Sequence, residues 1–211
     1  MIDEDRVELT VVGKISDIGE FDWDACASSS DAGSRPVDPF VTYRFLKGLE
    51  DSKSIGAGTG WIPQYIVAKY NKEIIGVMPS FAKGHSQGEY IFDHNWAHAY
   101  ENSGGKYYPK LQVSIPFTPV TGRRFLTLPE FHDIAQSALL EGLQIIVSQQ
   151  KWSSAHITFC SAEEFKAGEE LGLLQRIGQQ FHWENQSYKN FDEFLMNLSS
   201  RKRKNIKKER R

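Results

Sequence analysis

The sequence has few cysteines and no long apolar run, and both shortages exclude classes of protein. Cys26 and Cys160 are its only cysteines, and neither has a second thiol or a histidine at ligand spacing, which argues against a disulfide framework and a zinc site. No apolar run approaches the roughly 18 residues that a membrane-spanning helix needs. The acidic start MIDEDRVE does not resemble a secretory signal, so the sequence predicts a cytoplasmic protein.

Charge is distributed unevenly along a chain whose composition suits one soluble domain. Residues 201–211 hold eight Lys or Arg and one acid, which leaves residues 1–200 with a net charge of about −9. A basic run of this kind binds nucleic acid or an anionic membrane in some proteins. However, an i, i+3, i+4, i+7 apolar stripe precedes it, at Phe191, Phe194, Leu195 and Leu198. The stripe favours a helix that continues into the basic run, with the charges on its solvated or paired face.

Hydrophobic periodicity predicts an α/β (α+β) fold with a mixed, mostly antiparallel sheet flanked by helices. Asn71-Lys72 predicts a tight turn between two strands, and the glycine-rich IGAGTG lacks the strand before and the helix after that a dinucleotide site requires. A loop is expected at residues 28–39. Strands are expected at residues 7–15, 64–70, 73–81, 110–115, 156–159 and 174–183. Helices are expected at residues 17–27 (capped by Ser16), 40–49, 131–147 and 162–171.

The segment YYPKLQVSIPFTPVTGRR, residues 107–124, runs an alternating strand into a glycine turn. Lys110 and Gln112 alternate with apolar residues, so they share the polar face of a half-buried strand. Beyond two prolines, Thr121 and Gly122 form a turn that is followed by two arginines, Arg123 and Arg124, which are expected to be exposed and to face an anion. The alternative, favoured for an isolated motif of this kind, is a plain hairpin with solvated arginines.

A second group of chemically capable residues lies in the segment HSQGEYIFDHNWAHAY. His85, Glu89 and Asp93 are candidates for a general base that deprotonates an amine, and the sequence does not choose among them. The pair His94 and His98, with Asp93, also suggests metal ligation, but no HExxH pattern supports it and a solvent-exposed pair is favoured. Further along, His182 and Trp183 predict either a packed aromatic ladder, which is favoured, or the floor of a pocket.

These segments, together with PFVTYRFLKGLEDSKSIGAGTGWIPQYIV, QFHWEN and FDEFLMNLSSRKRKNIKKERR, resemble the FemAB-like members of the GNAT acyltransferase superfamily. Proteins of this group are often described as bacterial peptidoglycan biosynthesis or recognition proteins. The resemblance covers the chain from about residue 39 to its last residue. It implies two GNAT-like halves in one polypeptide, with the first half at residues 1–190 and a basic helix at residues 191–211 that leads to the second.

The resemblance implies an N-acyltransferase that moves an acyl or aminoacyl group from acyl-CoA or aminoacyl-tRNA to an amine, with no permanently bound cofactor and no metal. A non-catalytic recognition module of the same fold is the alternative, and binding of other nucleic acids ranks last. In the GNAT fold the acyl-CoA pyrophosphate lies at the start of the long helix, where this chain has FTPVTGRRFLTLPEFHD with Gly122 alone of the usual glycines. Expected catalytic residues are Glu89, Asp93 and His85. Expected cofactor-binding residues are Thr121, Gly122, Arg123 and Arg124. Expected substrate-binding residues are Trp96, Tyr100, Lys110, Gln112 and His182.

Overall fold

The computed structural model describes residues 6–28, 38–91 and 93–210, and these residues separate into two units. The first unit, Met1–Gln175, holds all strands and the first five α-helices, and the second unit, Arg176–Arg211, holds two further helices. Most of the predicted loop at residues 28–39 lies outside the described residues. No helix in the described ranges has both the length and the apolar character needed to cross a membrane.

The described elements follow one another in a mixed order that agrees with the predicted α+β class. The strands are β1 (Glu8–Val12), β2 (Trp61–Pro63), β3 (Tyr65–Tyr70), β4 (Glu73–Met78), β5 (Ser80–Lys83), β6 (Lys110–Val113), β7 (Leu126–Thr127) and β8 (Ala155–Ile157). The helices are α1 (Glu20–Ala27), α2 (Tyr43–Asp51), α3 (His94–Asn102), α4 (His132–Gln150), α5 (Ala162–Glu170), α6 (Phe191–Met196) and α7 (Ser200–Glu209).

The strands of the first unit form two four-stranded sheets that share one long hairpin. The first sheet has the antiparallel order β1-β3-β4-β7, and the second has the order β2-β5-β6-β8, in which β8 runs parallel to β6. The hairpin predicted around Asn71-Lys72 is confirmed, and both turn residues have positive φ values of 48° and 69°. The chain changes sheet at Gln64, between β2 and β3, and again at Pro79, between β4 and β5. Next to these two points the Gln64 N–H donates to the Ser80 carbonyl at 2.8 Å.

Helices pack on opposite faces of the strands because apolar side chains repeat on both. In α4, Ala135, Leu139 and Leu143 are buried against Ile66 and Met78 of the first sheet and against residues of the second. On the other face, Trp23 and Cys26 of α1 and Leu46 of α2 form a second cluster with strand residues. These strand residues are Tyr65, Val67 and Phe81. Lys83 of β5 lies on this second face because it is two residues from Phe81, and strand pairing places Lys110 and Gln112 of β6 on the same face.

Three predicted elements differ from the structure. The strand predicted at residues 174–183 is absent, and Leu174, Ile177 and Phe181 are 100%, 86% and 88% exposed. The helix predicted from residue 17 with a Ser16 cap begins only at Glu20, because Gly19 has a φ of 94° that helical residues do not adopt. The helix predicted to run through residue 191 and onward is broken into α6 and α7 by the turn after Met196.

Candidate functional site

A row of buried lysines crosses the second sheet. Strand pairing places Trp61 opposite Lys83 and Lys83 opposite Lys110, so all three side chains lie on one face. Both lysines are 0% exposed, and the Lys83 ammonium lies 3.6 Å from the centre of a Trp61 ring while it donates to the Gln87 carbonyl at 3.1 Å. Burying two ammonium groups side by side is costly unless carboxylates compensate their charge.

Two buried carboxylates provide that compensation. The loop after β5 carries Glu89, and Asp93 lies directly before α3. The Lys110 ammonium donates to Glu89 Oε2 at 2.8 Å and to Asp93 Oδ2 at 2.7 Å, so it bridges both carboxylates. The Tyr107 hydroxyl also donates to Asp93 Oδ2, at 2.7 Å. Lys83, Glu89, Asp93 and Lys110, here called the charged cluster, therefore place two basic and two acidic groups inside the first unit.

Asp93, Glu89 and Lys83 of the charged cluster have pKa values that are shifted in different ways. Burial alone would raise the pKa of Asp93, but hydrogen bonds with Lys110, Ser86 and Tyr107 lower that pKa to about 2. Burial raises the pKa of Glu89, because Lys110 offsets the loss of hydration only in part. Burial also lowers the pKa of Lys83, to about 7, against the opposing attraction of Glu89. Asp93 is therefore a fixed charge at neutral pH, Lys83 has a pKa close to that pH, and Glu89 holds a proton more readily than an ordinary glutamate.

Polar atoms without partners surround the charged cluster. In the described part of the chain, Glu89 Oε1 and Ser114 Oγ have no hydrogen-bond partner although both are buried. Gln112 donates its amide to Thr158 Oγ1 at 2.8 Å and leaves its Oε1 unpaired, and a flipped amide would leave the nitrogen unpaired instead. Gln112 in β6 and Ser114 just after it lie on the same face as Lys110, so this face offers unpaired polar atoms for which the described residues supply no partner.

The loop from residue 84 to residue 91 lies over the charged cluster and is held by two close approaches to glycine. The His85 ring packs directly on Gly60, whose φ of 75° and missing side chain make that contact possible. Gly88 likewise leaves room for the Phe117 ring, and the Phe117 N–H donates to its carbonyl at 3.2 Å. Trp61 adds a hydrogen bond from its indole N–H to the Gln87 carbonyl at 3.2 Å. As a result Glu89 is only 3% exposed.

Helix α3 carries the predicted substrate-binding aromatics on its outer surface. Trp96 is 63% exposed and Tyr100 is 45% exposed, and the Tyr100 ring meets Tyr107 edge to face at 6.1 Å. His94 and His98 are exposed on the same helix, whereas Asp93 turns inward to Lys110. Within the described ranges, no three His, Cys, Asp or Glu side chains are grouped so that they could hold a metal ion.

The predicted anion-facing turn contacts an anion that belongs to the chain itself. The backbone N–H groups of Arg124 and Phe125 donate to Glu164 Oε1 at 2.7 and 2.8 Å. The Arg124 side chain was expected to be exposed but is 0% exposed, and it donates to the carbonyls of Thr158 and Val120. Thr121 is exposed and Gly122 is half-buried beside the Asp38 carboxylate.

Arg123, also half-buried, donates to the Ala27 carbonyl. The remaining predicted residue, His182, lies in the second unit, is exposed, and contacts Gln180 Oε1 at 2.7 Å. Its neighbour Trp183 packs on Tyr188 and Phe194 with ring centres 6.4 and 6.1 Å apart.

The structure thus brings together Glu89, Asp93 and Lys110. Gln112 lies two residues beyond Lys110 on the same face of β6. Sequence reasoning missed Lys83, Tyr107 and Glu164. For Lys83 a signal was available, because it follows Phe81 by two residues at a position that should face the core. For Glu164 the signal was the sequence Ser161 to Glu164, a capping box that the structure contains and that fixes the carboxylate at the start of α5.

Solved acetyltransferase structures resemble this chain at low sequence identity. A possible acetyltransferase from Clostridium difficile 630 is 9% identical with a TM-score of 0.50, over 85% of this chain and 97% of its own. A ribosomal-protein-alanine N-acetyltransferase from Brucella melitensis biovar Abortus 2308 is 14% identical with a TM-score of 0.49, over 85% of this chain and 100% of its own. An aminoglycoside N-acetyltransferase in complex with CoA is 11% identical with a TM-score of 0.49, over 85% of this chain and 95% of its own.

The first of these likenesses shows that the fold is that of the GNAT acetyltransferases. A search of curated proteins found no significant match to the sequence. The model of the FemAB-like family, described as peptidoglycan biosynthesis/recognition, matches residues 14–211, which is nearly the whole chain. The chain therefore belongs to the FemAB-like family.

Proposed function

We propose that this chain is an N-acyltransferase domain that transfers an acyl or aminoacyl group to an amine of a peptidoglycan or other cell-wall precursor. The observation that carries the proposal is Glu89, a buried carboxylate with a raised pKa whose Oε2 is held by Lys110 and whose Oε1 has no partner in the described part of the chain. A carboxylate of this kind accepts a proton from an ammonium group and so generates the nucleophilic amine. The family and the fold support the same chemistry.

In the proposed reaction the amine nitrogen attacks the acyl carbonyl carbon, and the bond from that carbon to the carrier breaks. Glu89 takes the proton that converts the ammonium into the amine and afterwards releases it to water. The departing carrier atom leaves with the electron pair of the broken bond and accepts the second proton, which the nitrogen loses on acylation. Asp93, ionised because its pKa is about 2, and Lys110 hold Glu89 in place. Because Glu89 is 3% exposed, the amine reaches Oε1 only when the loop over the charged cluster opens.

A donor anion at the turn from Thr121 to Arg124 would have to displace Glu164, whose carboxylate already accepts the N–H groups of Arg124 and Phe125. This occupancy favours the second candidate function, a recognition module that binds an amine-bearing ligand in the charged cluster without transferring a group. The two-half arrangement of the full polypeptide, with a basic helix leading from the first half to the second, remains part of the proposal.

A donor and acceptor panel separates the two candidates. Acyl-CoA and aminoacyl-tRNA donors are each mixed with amine-bearing peptidoglycan precursors, and product formation is measured by mass spectrometry alongside binding by calorimetry. Product formation in proportion to the amount of protein supports the transferase. Saturable binding of a precursor without any product supports the recognition module, and neither binding nor product contradicts both.

A further inference from the structure

Lys83 is the member of the charged cluster that the proposed reaction leaves without a role. Its side chain is 0% exposed, and none of the ion pairs in the described part of the chain includes it. Lys110 pairs with both carboxylates, and strand pairing places Lys110 directly opposite Lys83, so one positive charge opposes the other. A buried ammonium that no carboxylate bonds loses hydration without replacement, which favours the neutral amine.

The acceptor that Lys83 does have belongs to the loop at residues 84–91. The Gln87 carbonyl accepts one hydrogen bond from the Lys83 side chain at 3.1 Å and a second from the Trp61 indole N–H at 3.2 Å. Gln87 precedes Glu89 by two residues. Donors from β5 and β2 therefore hold the backbone beside Glu89. Opening of the loop would remove this acceptor from Lys83 and expose the amine to water.

We propose that Lys83 is a positioning residue for Glu89, which holds the loop closed over Glu89 as a neutral amine and takes up a proton when the loop opens. A neutral amine still has N–H donors, so the hydrogen bond to the Gln87 carbonyl does not require the charge. In the open loop water hydrates the ammonium, and the proton comes from the solvent. This role rests on the proposed acyl transfer for its purpose, which is to admit the acceptor amine to Glu89 and to close over it again.

The pKa of Lys83 supports this role and gives the direction of its pH dependence. Burial lowers the pKa from its ordinary value of 10.5 to about 7, against the attraction of Glu89, and the charge of Lys110 adds a smaller lowering. Hydration in the open loop returns the pKa towards 10.5, so between pH 7 and 10.5 the open form binds more protons than the closed form. Rising pH therefore stabilises the closed loop within this window. Below pH 7 both forms are protonated, and Lys83 contributes no further change.

Other titratable groups near Lys83 have to be separated from it. Glu89 has a raised pKa in the closed loop, so it favours the open form as pH rises, which is the opposite sign. His85 Nδ1 accepts the Gln87 N–H at 3.2 Å, so protonation of this ring would loosen the loop in acid, which is the same sign as for Lys83. Lys110 of β6 is bonded to both carboxylates of the charged cluster. His85 is therefore the group that needs its own control.

Hydrogen exchange of the whole chain tests the role of Lys83 without any acyl donor. The Phe117 N–H donates to the Gly88 carbonyl of the loop at 3.2 Å, so its exchange reports loop opening. The Leu128 N–H, bonded to the Ile75 carbonyl at 3.0 Å, is the reference amide in the first sheet. With a Lys83 pKa of about 7 in the closed loop and 10.5 in the open loop, the protection factor of Phe117 should rise about 25-fold between pH 6.5 and 8.5.

Three variants identify the side chain responsible for this rise. Lys83→Met cannot bind the proton, so its protection factor at Phe117 is expected to lose the rise. Lys106→Met, which changes an exposed lysine of the first unit, is the matched control and should keep it. His85→Phe retains a ring on Gly60 and cannot titrate, and it should also keep the rise.

The wild type alone can overturn the proposal, so the result does not depend on the folding of a variant. A protection factor of Phe117 that stays constant or falls with rising pH would overturn it, and so would exchange of Phe117 as slow as that of Leu128. A rise that survives in folded Lys83→Met, or that disappears in His85→Phe, would also overturn it. The expected pH dependence without any acyl transfer would support the role of Lys83 and count against the transferase alone.

Discussion

At the scale of single residues, the charged cluster shows how one cation organises two carboxylates. Lys110 is the only group in the described structure that bonds to both Glu89 and Asp93, while Tyr107 strengthens the hold on Asp93 alone. The pKa of Asp93 is lowered and that of Glu89 is raised, because Asp93 receives several hydrogen bonds and Glu89 receives one. A pair of carboxyl groups with divergent pKa values is the arrangement from which acid and base roles arise.

Replacing Lys110 with Met should destabilise the fold by about 3 to 5 kcal/mol, because it leaves two buried carboxylates without their cation. Urea unfolding monitored by tryptophan fluorescence provides the measurement. Lys47→Met is the matched control, since Lys47 pairs with Asp51 at 2.5 Å on the exposed side of α2 and its loss should change stability little. Equal effects of the two substitutions would contradict the importance of the cluster to the fold.

The lowered pKa of Asp93 predicts that the folded protein loses stability in acid. Its pKa is about 2 in the folded protein against 3.8 for an ordinary aspartate, so the folded state favours the ionised form. The stabilisation is fully present above pH 4 and is lost as pH falls towards 2, an effect of about 2 kcal/mol. The raised pKa of Glu89 acts in the opposite sense and above this window.

Urea unfolding of the wild type and of Asp93→Asn between pH 2 and pH 5 isolates the contribution of this one carboxyl. The wild type should lose about 2 kcal/mol more than the variant over this range. Parallel pH curves for the two proteins would show that Asp93 has an ordinary pKa.

At the scale of secondary-structure elements, Glu164 joins the segment before β7 to the start of α5. Its carboxylate accepts the N–H groups of Arg124, Phe125 and Ser161, and the Ser161 hydroxyl accepts the Glu164 N–H at 3.2 Å. Arg124 reinforces the same connection through the Thr158 carbonyl beyond β8. Burial raises the pKa of Glu164, and the backbone N–H groups offset this only in part.

Glu164→Ala should therefore reduce the free energy of unfolding by about 2 to 4 kcal/mol, since hydrogen bonds to a charged acceptor are lost and buried N–H groups remain. Native-state hydrogen exchange should show faster exchange at the amides of Arg124 and Phe125. Glu169→Ala, at an exposed position of the same helix, serves as the control and should change neither quantity. Unchanged protection at both amides in Glu164→Ala would contradict the contact.

Elements governed by local signals could be predicted from the sequence, and elements that depend on distant partners could not. The hairpin follows from Asn71-Lys72 between two apolar strands, and α4 from its apolar period. The alternation at residues 174–183 looks like a strand, but a strand exists only where another strand's backbone is available to pair. In the same way, the sequence could name Glu89, Asp93 and Lys110 as candidates. It could not show that Lys110 bridges the two carboxylates or that Lys83 lies beside Lys110, because both depend on strand register.

At the scale of the whole molecule, the chain combines an acidic first unit that carries the charged cluster with a basic second unit. The segment around their boundary, from Leu173 to Tyr188, has no helix or strand. It carries side chains that are among the most exposed of the described residues, including Leu174 at 100%. Such a segment is expected to be the first to bind a protease.

Brief digestion with chymotrypsin should therefore cut first after Leu174, Phe181 or Trp183. Phe21 is an internal control, because it is 86% exposed but lies inside α1, whose backbone is hydrogen bonded. Mass spectrometry of the early fragments identifies the sites. Cleavage after Phe21 before any cleavage at residues 174–183 would contradict the division into two units.

The central claim, that Glu89 is the base of an amine acyltransferase, is tested most directly by the value of kcat/KM in Glu89→Gln. The measurement uses the donor and acceptor pair that the panel identifies and compares the variant with Glu101→Gln, an exposed glutamate of α3. We expect a loss of about 100-fold to 10,000-fold in Glu89→Gln, because general-base catalysis is removed, and no change in Glu101→Gln. Wild-type turnover by a folded Glu89→Gln protein would contradict the account.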